Sequence, residues 1–185
     1  MAIAKAPSNA DLAPTLARDW ALQVDIGTTA EPKWEFVRGL SKFAPTYKAK
    51  MQDDADIDSE GYGSQIATAM EMTFDGEGKQ KVNSEYKLPA GNQALSKAGR
   101  TMGLRNVVRA RCWRTDGYDE GYEAHFSVEW EEKAGSYDDL NEFSFTMMSR
   151  GKPQRIKPVE GDGTAASVPV EEETGFTNGA EAGTP

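Results

Sequence analysis

Apolar and polar residues alternate with a period of two along most of the chain from residue 20 onward. Such alternation is typical of β-strands that bury one face and leave the other polar. The predicted strands lie within residues 20–26, 34–47, 66–79, 104–112, 122–130 and 143–147. The second of these runs is either one strand with a bulge at Gly39 or two separate strands.

One helix is predicted at residues 91–103, with Asn92 as its N-cap and Gly103 closing it. Its apolar residues recur at i, i+3 and i+7, a narrow stripe suited to lying on a sheet. They are Leu95, Ala98 and Met102. Because antiparallel strands flank this helix on both sides, the expected fold is mainly β, an antiparallel β-sandwich or barrel with one flanking α-helix.

The two strands around the turn at residues 116–121 carry their apolar residues at even positions. Opposed residues on a sheet share a face, so apolar residues must pair with apolar residues. Because the apolar residues have even numbers on both strands, the numbers of any two paired residues must sum to an even value. Cys112 and His125 are therefore expected on opposite faces, which argues against a Cys–His nucleophilic pair. The same parity places on one face Arg105, Arg109, Arg111, Glu123, Glu129 and Glu131. This mixed-charge face is either solvated, with weak ion pairs, or a contact with another subunit.

The ends of the chain differ in composition from its middle. Residues 1–18 hold two prolines and mostly small residues, and they predict an extended N-terminal arm. Residues 19–157 form the predicted β domain. Residues 158–185 carry six acids and no Lys or Arg, and they predict a flexible acidic C-terminal tail. Removing these six acids from the net charge of −9 leaves −3 for residues 1–157, so the body is only mildly acidic.

Several functions are not expected from this composition. No run of clustered cations is present, so tight nucleic-acid binding is not predicted. No stretch is apolar enough for a membrane span or a secretory signal. The single cysteine, Cys112, permits no intrachain disulfide and fits a reducing cytoplasm.

No enzyme activity is predicted. The one histidine, His125, would have to serve any catalytic triad, but its strand neighbours Glu123 and Ser127 are ordinary for a polar face. A hydrolase with His125 as its base is the remaining enzymatic hypothesis, and nothing indicates its substrate. The glycine pairs at residues 61–63 and 76–78 lack the Gly-Lys-Ser/Thr ending of a phosphate loop.

Five carboxylates occupy the nine residues 52–60, inside a long loop predicted at residues 47–63. Three aspartates match positions one, three and five of an EF-hand: Asp54, Asp56 and Asp58. Ser59 stands where position six needs Gly and Gln65 where position twelve needs Glu, so neither a metal nor a cofactor is predicted. A loop of this length is usually functional. Weak calcium binding, a solvated loop and contact with another subunit stay open.

The layout of residues 18–155, and residues 37–63 most specifically, resembles the tail tube (major tail) proteins of long non-contractile-tailed bacteriophages, especially those of actinobacteria. The stretches that carry the resemblance are residues 20–25, 34–45 and 52–61. The resemblance implies a virion protein that forms hexameric rings stacked into a tail tube. The tube would hold a tape-measure protein during assembly and later conduct the genome.

The resemblance also implies partners and contact residues. The partners are further copies of the chain, the tape-measure protein, a tail terminator and distal tail proteins, with double-stranded DNA passing through without specific binding and no membrane. Synthesis in the bacterial host cytoplasm is implied. The expected inter-subunit or inter-ring contacts are Gln52, Asp53, Asp54, Asp56, Asp58, Glu60, Arg105, Arg109 and Arg111. The expected lumen-facing residues are Glu71, Thr73, Glu123, Ser127 and Glu129.

Two alternatives to a tail tube protein are kept. One is a monomeric β-sandwich binding module that takes calcium on the acidic loop. The other is a tail-terminator or head–tail connector protein, which shares the sandwich fold with tail tube proteins.

Overall fold

Strands account for most of the regular structure in this computed structural model, which describes residues 13–56, 62–133 and 135–170. The strands are β1 (Trp20–Asp25), β2 (Trp34–Phe36), β3 (Leu40–Asp53), β4 (Gln65–Lys79), β5 (Val107–Arg114), β6 (Gly121–Lys133), β7 (Glu142–Ser149) and β8 (Gln154–Arg155). The α-helix is α1 (Ala90–Gly99), and short 3-10 helices span Ala17–Asp19 and Gly103–Asn106. The predicted N-terminal arm lies outside the described residues up to residue 12.

All strand pairs are antiparallel, in the order β2-β1-β5-β6-β7-β4-β3, with β8 added beside β6. The sheet curls so that strands far apart in this order meet through the core. Trp20 of β1 lies edge-on to Phe43 of β3 with ring centroids 6.0 Å apart, and Phe74 of β4 lies 4.3 Å from Phe126 of β6. The predicted class, an antiparallel β-sandwich with one flanking helix, is confirmed.

The core is built from the alternate residues that the sequence pattern singled out. On β7 these are Phe143, Phe145 and Met147, all buried. They pack with Leu22, Val24, Phe43, Met72, Phe74, Ala110, Cys112, Phe126 and Val128 from the other strands. Full burial of a Phe, Leu or Met side chain stabilises a fold by roughly 1.5–3 kcal/mol, so this cluster is the main source of stability.

Helix α1 packs against β6, β2 and β1 with Leu95 and Ala98 buried, as predicted. Its start at Ala90 lies one residue from the predicted start, but its predicted cap and C-terminal end were wrong. Asn92 lies inside the helix, where its side-chain amide donates to the carbonyl oxygen of Arg38 and accepts from the Arg38 N–H, so it ties the helix to the chain before β3 instead of capping it. The helix ends at Gly99, and Met102 is 91% exposed instead of continuing the stripe.

The hairpin of β5 and β6 has the predicted parity. Cys112 pairs with Tyr122 and Arg109 with His125, so the paired numbers sum to an even value. Cys112 and His125 therefore lie on opposite faces of the sheet, as expected. Arg105 falls in the 3-10 helix before β5, so it is not part of the mixed-charge strand face on which it was predicted.

Candidate functional site

Strands β3 and β4 form a hairpin that extends past the end of the rest of the sheet. β4 pairs with β7 only as far as Thr73, opposite Met148, but it pairs with β3 as far as Gln65. Residues 47–53 and 65–71 therefore have no third strand beside them, and every one of them is exposed. We call these two segments the arm. A two-stranded hairpin without further packing is only marginally stable in water, so the arm gains from contact with another surface.

The arm has one apolar face. Tyr47, Met51 and Met70 are 46%, 48% and 64% exposed, although their size and polarity suit a core. On this face Tyr47 pairs with Met72, Ala49 with Met70 and Met51 with Ala67. The opposite face is mixed, with Lys48, Lys50, Gln52, Ile66, Ala69 and Glu71. A contiguous apolar strip on a projecting hairpin is typical of a protein contact, and β3 is also an edge strand with unpaired backbone groups.

The long loop predicted at residues 47–63 was wrong for residues 47–53, which belong to β3. β3 continues to Asp53, β4 begins at Gln65, and the Asp54 N–H donates to the Ser64 carbonyl oxygen at 3.1 Å. The alternation of apolar Tyr47, Ala49 and Met51 with lysines at positions 48 and 50 is the signal that predicts this strand. The acidic run that follows obscured it.

Acidic side chains gather where β3 ends. Asp53, Asp54 and Asp56 are exposed, and a carboxylate oxygen of Asp53 accepts from the Ala55 N–H at 2.9 Å. Asp58 and Glu60, named for the contact and calcium hypotheses, lie outside the described residues. Within residues 13–56, 62–133 and 135–170, no group of three or more His, Cys, Asp or Glu side chains is placed to hold a metal ion.

The outer face of β6, β7 and β4 is rich in carboxylates. Pairing across the three strands aligns Glu129 with Thr146 and Asp75, and Glu131 with Ser144 and Glu77. A hydrogen bond and ion pair from Lys133, with Lys42 adding a second positive charge, hold the pKa of Glu77 below its ordinary value, so this carboxylate is ionised at neutral pH.

Three of the predicted lumen residues come together on this face. Ser127 and Thr73 both lie opposite Met148, and Glu129 follows on the same side of β6. Glu71 lies on the mixed face of the arm. Thr73 is only 3% exposed, so it does not line an open channel in this conformation. Glu123 shares the face and does not line one either, because it is only 5% exposed. It accepts hydrogen bonds from Arg109 and from the Ser167 hydroxyl.

A C-terminal segment covers Glu123 and the neighbouring polar face of β1 and β5. We call residues 158–170 the strap. Arg111 beneath it is 0% exposed. Its guanidinium donates to the carbonyl oxygens of Gly163 at 2.7 Å and Ala165 at 2.9 Å, to the Ser167 hydroxyl at 2.9 Å, and to the Gln23 side chain at 2.9 Å.

Arg111 was expected to contact another subunit, and the tail from residue 158 was expected to be flexible. Instead Arg111 is buried beneath the strap, and the two are joined by hydrogen bonds. Burial lowers the pKa of Arg111 to about 10, which leaves the guanidinium charged at neutral pH. A buried arginine requires acceptors for its N–H groups, and main-chain carbonyls of the strap supply them. Arg111 is thus occupied within its own chain, and Arg109 pairs with Glu123 and Asp25. Residues 171–185 lie outside the described residues.

A basic groove lies at the end of the sheet from which the arm projects. Its volume is about 720 Å³, and it is lined by Leu104, Val107, His125, Arg150 and Gly151. His125 and Arg150 are exposed, and Leu104 is 79% exposed. Arg105, the one predicted contact arginine that stays exposed, follows Leu104 directly.

None of the helices in the described ranges is long and apolar enough to cross a membrane.

The fold is shared with chains of phage-like particles. A chain in the virion of the native gene transfer agent particle is 15% identical, with a TM-score of 0.57, over 77% of this chain and 98% of that one. A chain in the tail of the empty particle, refined with C6 symmetry, is 15% identical with a TM-score of 0.58 over the same shares. A chain in the six-fold symmetrised baseplate of the anti-feeding prophage is 8% identical, with a TM-score of 0.50, over 78% of this chain and 97% of that one.

No protein-family model matches the chain, and no curated protein sequence matches it. At identities of 15% and below, the structural likeness establishes the fold and assigns no residue a role. This chain therefore has the fold of chains found in a gene transfer agent tail and an anti-feeding prophage baseplate.

Proposed function

We propose that this chain is a structural virion protein whose copies assemble as hexameric rings stacked into a phage-type tail tube. The observation that carries the proposal is the arm, a hairpin exposed on both faces with an apolar strip along one of them. The shared fold supports it, because one similar chain belongs to a tail with C6 symmetry. The actinobacteriophage type of tail, suggested by residues 37–63, is part of the same proposal.

The contacts required for a tube agree with the shape of the chain. A tube grows by heterologous contacts, in which one patch of a copy binds a different patch of the next. The arm supplies a patch that stands away from the body, and the edge strand β3 supplies unpaired backbone groups. If the same patch of two copies met instead, the contact would be isologous and assembly would stop at a dimer.

The carboxylate-rich outer face is the proposed wall of the channel. Asp75, Glu77, Glu129 and Glu131 would repel the phosphates of DNA and keep the genome from binding during passage. The tape-measure protein, the tail terminator and the distal tail proteins are proposed as further partners. The protein would be made in the bacterial cytoplasm and act in the virion.

Electron microscopy with light scattering of the concentrated, purified protein tests this proposal. Rings of six copies and tubes with a central channel are expected. Rings that never stack would favour a tail-terminator or connector protein. A protein that stays monomeric at high concentration would contradict assembly altogether, and a calcium titration with measurable heat would then support the binding-module alternative.

A further inference from the structure

The basic groove has the chemistry to receive the end of an arm. Leu104 and Val107 supply apolar surface, Arg150 supplies a positive charge, and His125 supplies an imidazole ring. Among residues 13–56, 62–133 and 135–170, neither Arg150 nor the adjacent Arg105 has a carboxylate within ion-pair distance. The groove is therefore apolar and cationic at once, and its arginines have no ion pair within the described chain.

The distal arm has the opposite charge and matching apolar surface. Residues 51–56 carry three aspartates and no cation. Beside them Met51 and Ile66, on opposite faces of the arm, are 48% and 54% exposed. Charges of opposite sign around an apolar contact fix the orientation of two partners and exclude unsuitable ones.

A chain cannot fill its own groove with its own arm. The groove shares Gly151 with a second cavity at the base of the arm, lined by Tyr47, Met70 and Tyr122 among others. From Tyr47 to Asp53 the arm extends by six residues, roughly 20 Å at the usual rise of a strand. The end of the arm therefore lies far from the groove at its base, and a second copy must supply the acidic partner.

We propose that the groove of Leu104, Val107, His125, Arg150 and Gly151 is the receptor for the acidic end of the arm of the next copy. This inference rests on the proposed self-assembly and identifies the partner surface of the arm. Arg109 and Arg111 were the expected contact cations, but both are engaged within their own chain. In this inference Arg150 and Arg105 are the cations that face a neighbouring copy. The contact is heterologous, so it can propagate from copy to copy.

Charge reversal on each side tests the contact. The groove variant is Arg150→Glu, and the arm variant is Asp53→Lys with Asp54→Lys. Each is expected to raise the protein concentration needed for assembly by about tenfold or more, because it places like charges in contact. A chain carrying both changes should regain much of the assembly. Lys81→Glu is the matched control, because it makes the same charge change in the chain just beyond the other end of β4, and it should assemble like the wild type.

Mixing the two variants gives the sharper result. The groove variant keeps a normal arm and the arm variant keeps a normal groove, so normal arms can bind normal grooves. The reversed arms can bind the reversed grooves, as in the chain carrying both changes. Sedimentation velocity of the mixture should therefore show assemblies that neither variant forms alone at the same concentration. Assembly of the groove variant at wild-type concentration, equal loss in the Lys81→Glu control, or a mixture that assembles no better than either variant alone would overturn the groove as receptor. A wild-type protein that never assembles would overturn the proposed function and the groove together.

Discussion

The guanidinium carbon of Arg111 lies 4.0 Å from the centre of the Trp34 ring, beneath the strap. Replacing Arg111 by Met removes this cation–π contact and the hydrogen bonds to Gly163, Ala165 and Ser167. It also removes one of the two positive charges near the Glu123 carboxylate, which keeps its ion pair with Arg109. We expect a loss on the order of 3 kcal/mol in the free energy of unfolding, measured in urea.

Hydrogen exchange locates this effect. In the Arg111→Met variant the amides of Val170 and Lys157, which bond to Arg155 and Val168, should exchange faster than in the wild type. Arg105→Met removes an exposed arginine and should change stability by less than about 0.5 kcal/mol. An Arg111→Met variant with unchanged stability and unchanged exchange would show that the strap is held by other contacts.

Gly76→Ala is expected to destabilise the protein by roughly 1–3 kcal/mol, because a Cβ at this position would overlap the ring of Phe145 in the core. The measurement is thermal unfolding followed by circular dichroism. Gly63→Ala is the control, since a Cβ there meets nothing within 4 Å. Equal melting temperatures for the two variants would mean that Phe145 moves aside freely, contrary to the tight packing of the core.

The thiol of Cys112 should be unreactive in the folded protein. It is 0% exposed, and burial raises the pKa of the thiol well above its ordinary value, so almost no thiolate is present near pH 8. A thiol reagent is expected to label Cys112 completely in denaturant and very slowly without it. Rapid labelling of the native protein would indicate that β1 and β5 separate readily, because these two strands pair at Cys112.

The sequence predicts the strand faces well because burial of one face makes apolar and polar residues alternate along each strand, and this alternation is visible in the sequence. The even positions of β6 and the odd positions of β7 were read correctly for this reason. The end of the helix was missed because Met102 fits an apolar stripe by spacing, although Gly103 adopts a left-handed φ of 65° and starts a separate turn.

The candidate site was harder to predict from the residues. Arg111 looks like any arginine on a polar strand face, since two of its acceptors are main-chain carbonyls of the strap and carry no sequence signature. The β3 part of the arm, residues 47–53, was predicted as a loop because the acidic run that follows suggested a metal or solvated segment, whereas the β4 part was predicted as a strand from residue 66. The arm is exposed on both faces because β7 stops pairing with β4 at Thr73, and the residues of the arm itself carry no signal of where β7 ends.

A deletion that tests the role of the arm has to shorten both of its strands together. Removing residues 51–60 alone would cut β3 and leave its partner segment of β4 unpaired, because Met51, Gln52 and Asp53 pair with Ala67, Ile66 and Gln65. A balanced change replaces residues 51–68 by Asn-Gly. This joins Lys50 to Ala69, which already face each other, through a tight hairpin turn.

Sedimentation velocity of this shortened-arm variant beside the wild type, at equal concentration, is the most direct test that the arm builds the assembly. The account predicts rings or larger species for the wild type and a folded monomer for the variant, which should still unfold in one cooperative thermal transition because residues 51–68 contribute nothing to the core. A variant that assembles as readily as the wild type would contradict the account.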